Sequence, residues 1–246
     1  MTIKVCIVIP VYNHERALPA LLARLKPHGL SCLLVNDGSS PACAQVLREL
    51  AAAQTDWLSL LERPANGGKG AAVVDGFRQA LARGFSHALQ IDADGQHDTA
   101  DIPAFLALAR LYPDAMILGA PRYGADAPRS RVHGRRITNF WIRINTWSDA
   151  IADGMCGFRL YPLAAVERLL AGQRVASGMA FDIDIVVRLY WQGVAALNLP
   201  TAVRYPEDGV SHFRLFRDNA LISATHARLF FGMLLRLPVL LLGRLR

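Results

Sequence analysis

The sequence predicts an α/β fold: an open, mostly parallel sheet with helices on both faces, followed by an amphipathic helical tail. Three observations carry this. Between Lys4 and Ala120, short apolar runs alternate with longer amphipathic ones. The short runs are apolar on both faces, as strands are when helices cover both sides of a parallel sheet. The first four also end abruptly in polar stretches, three of them containing glycine, at the edge where open α/β sheets bind ligands.

In chain order, strands are expected at Val5 to Ile9, Cys32 to Val35, Leu58 to Leu61, Ala88 to Ile91 and Ala115 to Leu118. Helices are expected between them, at Ala17 to Leu25, Ala42 to Ala53, Ala71 to Arg83 and Ile102 to Leu111. After Gly119 the alternation is lost. Arg122, Arg129, Arg131, Arg135 and Arg136 read as a basic loop leading into Ile137 to Trp147. A helix beginning at Phe181 and a strand from Ala195 to Val203 follow.

The division expected is residues 1–218 as one folded domain and 219–246 as a separate amphipathic helix. The uncharged runs of that tail, Leu229 to Leu235 and Leu237 to Gly243, fall well short of the ~20 residues that cross a bilayer. An interfacial helix fits, with Arg228, Arg236 and Arg244 reaching to headgroups; a helix packed on the domain or on a partner chain is the competing reading.

The 246 residues are 52% hydrophobic and only 19% charged, enough for a large core. The net charge of +7 is uneven. Arg122 to Arg143 holds six Arg against Asp126, and Arg204 to Arg246 holds seven Arg against Glu207, Asp208 and Asp218. That points to an anionic partner near the second half. Nucleic acid is disfavoured, because base-stacking motifs are not interleaved with the charge. Cys6, Cys32, Cys43 and Cys156 show no C-x-x-C spacing and read as buried thiols of a reducing compartment. Val5 to Val11 runs into Pro10-Val11-Tyr12-Asn13 without a cleavage site, so it is expected to be a core strand and not a signal peptide.

Chemistry concentrates after the fourth strand, in Asp92-Ala93-Asp94-Gly95-Gln96-His97-Asp98. Period-two alternation would send Asp92 and Asp94 to one side. Two like charges at ~4 Å repel by about 4 kcal/mol at an effective dielectric of ~20. A divalent cation relieves this, and Mg2+ or Mn2+ held by Asp92, Asp94 and Gln96 together with a diphosphate fits the donor set. An EF-hand is excluded, since its glycine and glutamate positions are His97 and Pro103. A solvated turn, with Asp98 or Asp101 capping the next helix, is the plainer alternative. The glycine stretch Asn66-Gly67-Gly68-Lys69-Gly70 matches neither the dinucleotide fingerprint nor the P-loop.

Pro10-Val11-Tyr12-Asn13, Asn36-Asp37-Gly38-Ser39, Asn66-Gly67-Gly68-Lys69-Gly70 and Asp92 to His97, in this order, resemble family 2 glycosyltransferases with the GT-A fold, a Rossmann-like nucleotide-diphospho-sugar transferase architecture. The likeness is strongest to dolichyl and polyprenyl phosphate sugar transferases and covers about the first 200 residues. It implies that Pro10, Tyr12, Glu15, Asp37, Lys69 and Asp92 serve the donor, with Glu15 displaced by His14 from the place the family's acid holds. Asp94 would act through the metal. The acceptor side would comprise Arg122 and Arg131 as a phosphate clamp, with Arg159, Arg204, Ser211 and His212. Asp182 and Asp184 are the candidate bases if the acceptor is a hydroxyl; as the first-turn acids of a helix they could equally serve as cap and dipole partners.

The function this implies is metal-dependent, inverting transfer of a hexose from a nucleotide-diphosphate sugar to a polyprenyl phosphate, by a protein peripheral to the cytoplasmic face of the plasma membrane. A saccharide or lipid hydroxyl acceptor, or a non-catalytic binder of sugar nucleotides or nucleic acid, are the alternatives.

Overall fold

A computed structural model describes residues 3–123, 129–204 and 213–243. Seven strands form one sheet: β1 (Val5–Val11), β2 (Ser31–Asn36), β3 (Leu58–Glu62), β4 (His87–Gln90), β5 (Met116–Tyr123), β6 (Arg159–Pro162) and β7 (Ala196–Val203), in the order β3-β2-β1-β4-β6-β5-β7. All neighbours pair in parallel except β6, which runs antiparallel to both β4 and β5.

The expected double burial is visible along β1. Cys6 and Val8 pack on one face with Phe77 and Ala80, while Val5, Ile7, Ile9 and Val11 pack on the other with Leu18, Leu21, Leu22 and Leu25. The first face is covered by α3 (Lys69–Ala82), α6 (Leu163–Gly172) and α7 (Phe181–Trp191). The second is covered by α1 (Leu18–Leu25), α2 (Pro41–Ala52) and α4 (Ile102–Leu111). All four cysteines are free and buried, and burial pushes the Cys6 and Cys156 thiols up to about 12, leaving them unreactive.

Three expectations are corrected. The basic stretch is not one loop: Arg122 lies on β5, and Arg129–Thr146 is a helix, α5. Strand β6 and helix α6 were not foreseen. Asp101 makes no side-chain cap; Asp98 does, accepting from the Ala100 N–H at 3.1 Å before α4 begins.

The tail helix α8 (Leu215–Gly243) begins before the expected boundary, and by length and composition its Leu215–Pro238 portion would suffice to cross a membrane. It packs along α5 and α7. Ile222, Leu229 and Met233 are buried, while Phe231, Leu234, Leu235 and Leu241 face outward with Ile137, Phe140 and Trp141 of α5.

Its arginines do not all reach outward as expected. Arg228 turns in to Asp184 at 3.0 Å, and Arg236 lies 4.7 Å over the Trp191 ring while donating to Gly232 O. Arg244 falls outside the described residues. The basic excess is thus partly neutralised within the fold, as are Arg135 by Asp153 and Arg143 by Asp149.

Between α5 and α8, Asn145 donates to His226 Nδ1 at 3.2 Å, leaving buried His226 Nε2 without a partner. Burial alone holds this imidazole down to about 4 against an ordinary 6.5. A base with a depressed folded pKa resists charging, so its contribution is complete above about 6.5 and is lost as pH falls toward 4. Urea unfolding at pH 7.5 and 4.5 should show wild type losing on the order of 2 kcal/mol more than His226→Gln over this interval; identical pH slopes would contradict that role.

Candidate active site

All four strand-end loops open into one cleft of about 540 Å3. Pro10, Val11, Tyr12 and His14 line it from the first loop, Asp37 from the second, Asn66 to Lys69 from the third, and Asp92, Ala93, Asp94 and Gln96 from the fourth. Its far wall is Met155, Ser177, Gly178, Met179, Asp182 and the first turns of α8.

The loops are tied to one another by their polar side chains. Asn13, held at φ 52°, accepts from the Ser40 N–H at 2.8 Å, and its own N–H reaches Ser39 Oγ at 3.1 Å. Asp37 clasps the glycine loop: its oxygens accept from the N–H groups of Gly67 and Gly68, both at 2.9 Å, and from the Arg63 guanidinium. Gly38 adopts φ 64° with the Ala65 and Asn66 backbone against it, so only glycine fits that close turn. Asp37, expected to hold nucleotide, thus fixes the glycine-loop wall of the cleft. Arg63 carries no motif that would have identified it.

The acids come together, though not by strand alternation. Strand β4 ends at Gln90, and Asp92 and Asp94 reach the cleft from the turn beyond it. Asp94 Oδ1 accepts from the Gln96 N–H at 3.0 Å, the tight local turn that aspartate favours. Lys69 Nζ stands 2.7 Å from Asp92 Oδ1 and 2.6 Å from Asp182 Oδ2. Burial would lower the lysine's pKa, but Asp182 and Asp92 outweigh it and raise the group above its ordinary value. Burial would likewise raise Asp92, yet Lys69 and then His97 draw it well below the usual carboxylate range. His97 Nε2 lies 4.0 Å from Asp92 Oδ2, behind the lining. The acid loop is anchored to β7 through Asp98 N–H to Ala202 O and Arg204 N–H to Gln96 O.

Asp182 is a hub. It accepts from Lys69 and, at 2.9 Å, from Gln90, whose place in an otherwise apolar strand was the one sequence signal available for it. Arg159 is fully buried behind it, donating to Asp182 O at 2.6 Å, Tyr161 Oη at 3.2 Å and Asp153 O at 3.3 Å.

Several expected site residues lie elsewhere. Asp184 is buried on another side of α7, accepting from Arg188, Arg228 and the Ala176 N–H, which leaves it no room to act as a base in the cleft. Arg159 has no exposed surface for an acceptor. Arg122 and Arg204 are exposed but do not line the cleft, and Glu15 is also off the lining, beside Cys43. The Arg131 side chain, Ser211 and His212 lie outside the described residues. Residues missed were Gln90, Met155, Met179, Arg214 and Arg217.

A divalent cation fits the residues present. Asp92 and Asp94 bring two carboxylates to the cleft, Asp92 held there by the Lys69 ammonium, and Gln96 lines the same space. No group of three or more His, Cys, Asp or Glu suited to a metal occurs among the described residues. Two carboxylates are what Mg2+ commonly uses when substrate phosphates and water complete its shell.

A sequence model of glycosyl transferase family 2 matches residues 6–170. The chain belongs to that family. This family 2 protein is 30% identical over 227 residues to the polyprenol monophosphomannose synthase of Mycolicibacterium smegmatis, covering 85% of this chain and 81% of the relative. It is 27% identical over 204 residues to the undecaprenyl-phosphate mannosyltransferase of Micrococcus luteus, covering 80% and 82%.

Among solved structures, the mannosyltransferase PcManGT from Pyrobaculum calidifontis, in complex with GDP-Man and Mn2+, superposes with a TM-score of 0.63 at 18% identity. That match covers 95% of this chain but only 64% of the other. Glucosyl-3-phosphoglycerate synthase from Mycobacterium tuberculosis, with Mn2+ and UDP-glucose, superposes at 0.62 and 16% identity, covering 94% and 78%. At such identities the likeness establishes the fold, which is GT-A.

Gly157 backs the acid pair, since a Cβ there would run into the Asp92 carboxylate. Because the colliding atoms are the end of a side chain, Gly157→Ala should fold normally while turning Asp92 aside. Calorimetric titration of UDP and GDP with Mn2+ should show at least tenfold weaker binding, with the circular dichroism spectrum kept and the melting temperature lowered as the Lys69–Asp92 pair is disturbed; unchanged affinity would contradict the placement of Asp92.

Proposed function

We propose that this protein is a metal-dependent, inverting glycosyltransferase that moves a hexose from a nucleotide-diphosphate sugar onto a polyprenyl phosphate at the cytoplasmic face of the plasma membrane. The observation that carries this reading is the convergence of Asp92, Asp94 and Asp182 on one cleft that the nucleotide-side loops also line. Both relatives described above are named for transfer to a lipid phosphate, and both solved structures hold Mn2+ with a sugar nucleotide.

Tyr12, Pro10 and Asp37 would receive the nucleoside, with the Asp37 clasp keeping the glycine loop open to it. Asp92, Asp94 and Gln96 would hold Mg2+ or Mn2+, which supplies positive charge against the departing diphosphate. Lys69 keeps Asp92 aimed and ionised. Asp182 has both oxygens already engaged, by Lys69 and Gln90, so it serves as an anchor between the donor and acceptor sides. This favours an acceptor that needs no base. A phosphate monoester is already anionic and nucleophilic, whereas a sugar hydroxyl must lose a proton to a group free to take it.

The outward face of α5 and α8 supports a peripheral membrane position. Leu235 is 83% exposed and Phe231 66%, and they share that face with Phe140 and Trp141. Monomers rarely leave such contiguous apolar surface to water. The helix remains tied to the domain by the Asp184–Arg228 pair and by Arg236 on Trp191, which suits a helix lying on the bilayer.

Purified enzyme with Mn2+, polyprenyl phosphate in detergent and a panel of radiolabelled UDP, GDP and dTDP sugars should form a lipid-extractable product with at least one donor. Asp94→Ala should lower that rate by about 10²–10³-fold, the scale of losing one stabiliser of developing charge. Near wild-type turnover by Asp94→Ala would overturn the assignment of the acid pair.

A further inference from the structure

The cleft's own charges leave the acceptor's phosphate with few partners. Among the described lining residues the cations are Lys69, Arg214 and Arg217. Lys69 is held between Asp92 and Asp182. Of the arginines expected on the acceptor side, Arg159 is sealed behind Asp182 and Arg122 and Arg204 lie off the lining, while the Arg131 side chain falls outside the described residues.

Arg214 and Arg217 stand at the other rim, at the start of α8. Asp218 closes this turn, accepting from the Arg214 N–H at 2.6 Å while its own N–H reaches Arg214 O at 2.8 Å. The carboxylate is thereby engaged with backbone, and neither guanidinium has a hydrogen bond or ion pair among the described residues. Phe213, Leu221, Met155 and Met179 line the cleft beside them. Leu215 and Phe216 of the same turn are exposed but lie off the lining.

We propose that Arg214 and Arg217 are the seat for the phosphate of an amphiphilic phosphomonoester acceptor, with Phe213 and Leu221 taking the first carbons of its chain. Two planar, permanently charged forks suit a phosphate, and the adjoining apolar side chains suit what is esterified to it. The same helix that exposes an apolar face to the bilayer thus begins at the cleft, so a lipid lying along α8 arrives head first. This rests on the lipid-phosphate reading above and adds the residues that recognise it.

The test uses the full chain with Mn2+ and the donor found active, and varies polyprenyl phosphate. Arg217→Gln and the Arg214→Gln/Arg217→Gln pair should raise the acceptor KM at least tenfold while the donor KM moves less than twofold and the melting temperature holds. Dodecyl phosphate should compete with the acceptor in wild type far better than inorganic phosphate or dodecanol, and should lose that advantage in the double variant. Transfer by wild type with an unchanged acceptor KM in the double variant, or a rise confined to the donor KM, overturns this inference alone. Competition by inorganic phosphate equal to that by dodecyl phosphate overturns the lipid part of it. Absence of wild-type transfer to any lipid phosphate overturns the acceptor reading and the inference together.

Discussion

One ammonium group organises the cleft. Lys69 leaves the first turn of α3 and stands between Asp92, beyond β4, and Asp182, in the first turn of α7. Without it two acids would face each other in a largely buried corner, and an unpaired buried charge costs about 3–5 kcal/mol. With it, the loop after β4 and the start of α7 share one counter-charge. Gln90 and Arg159 hold Asp182 from behind, and Gly157 leaves room for Asp92 in front. Both Gly157 and Arg159 come from the segment around β6, so the antiparallel strand is what delivers this support to the site.

The first half of the fold was legible because its physics is local. Strands buried on both faces must be apolar throughout, and the loops that follow them carry side chains that the core would not tolerate. The four loops do line one cleft, and Asp92 and Asp94 do meet there. The second half was less legible for identifiable reasons. Strand β6 is only four residues long and opens on Arg159, a residue that signals surface until its three buried acceptors are known. Helix α5 was hidden by its arginines, one of which, Arg135, pairs with Asp153 rather than with solvent.

Asp182 and Asp184 show what spacing alone withholds. Two residues apart on a helix, they lie roughly 200° apart around its axis. One therefore enters the cleft while the other anchors α7 to α8 through Arg228, with Arg188 of α7 itself as its second partner. The same coupling explains why the tail was hard to place. Its outward face has the apolar character of an interfacial helix, its inward face belongs to the core, and its first turn belongs to the cleft.

The central claim is that the Lys69-braced acid pair takes up a divalent cation together with a pyrophosphate. Electron paramagnetic resonance of Mn2+ titrated with protein measures this directly. The account predicts weak uptake of Mn2+ by the protein alone, strong uptake once the diphosphate of the active donor is added, and loss of that enhancement in Asp92→Asn. Equal Mn2+ binding with and without nucleotide, or enhancement that survives Asp92→Asn, would contradict it.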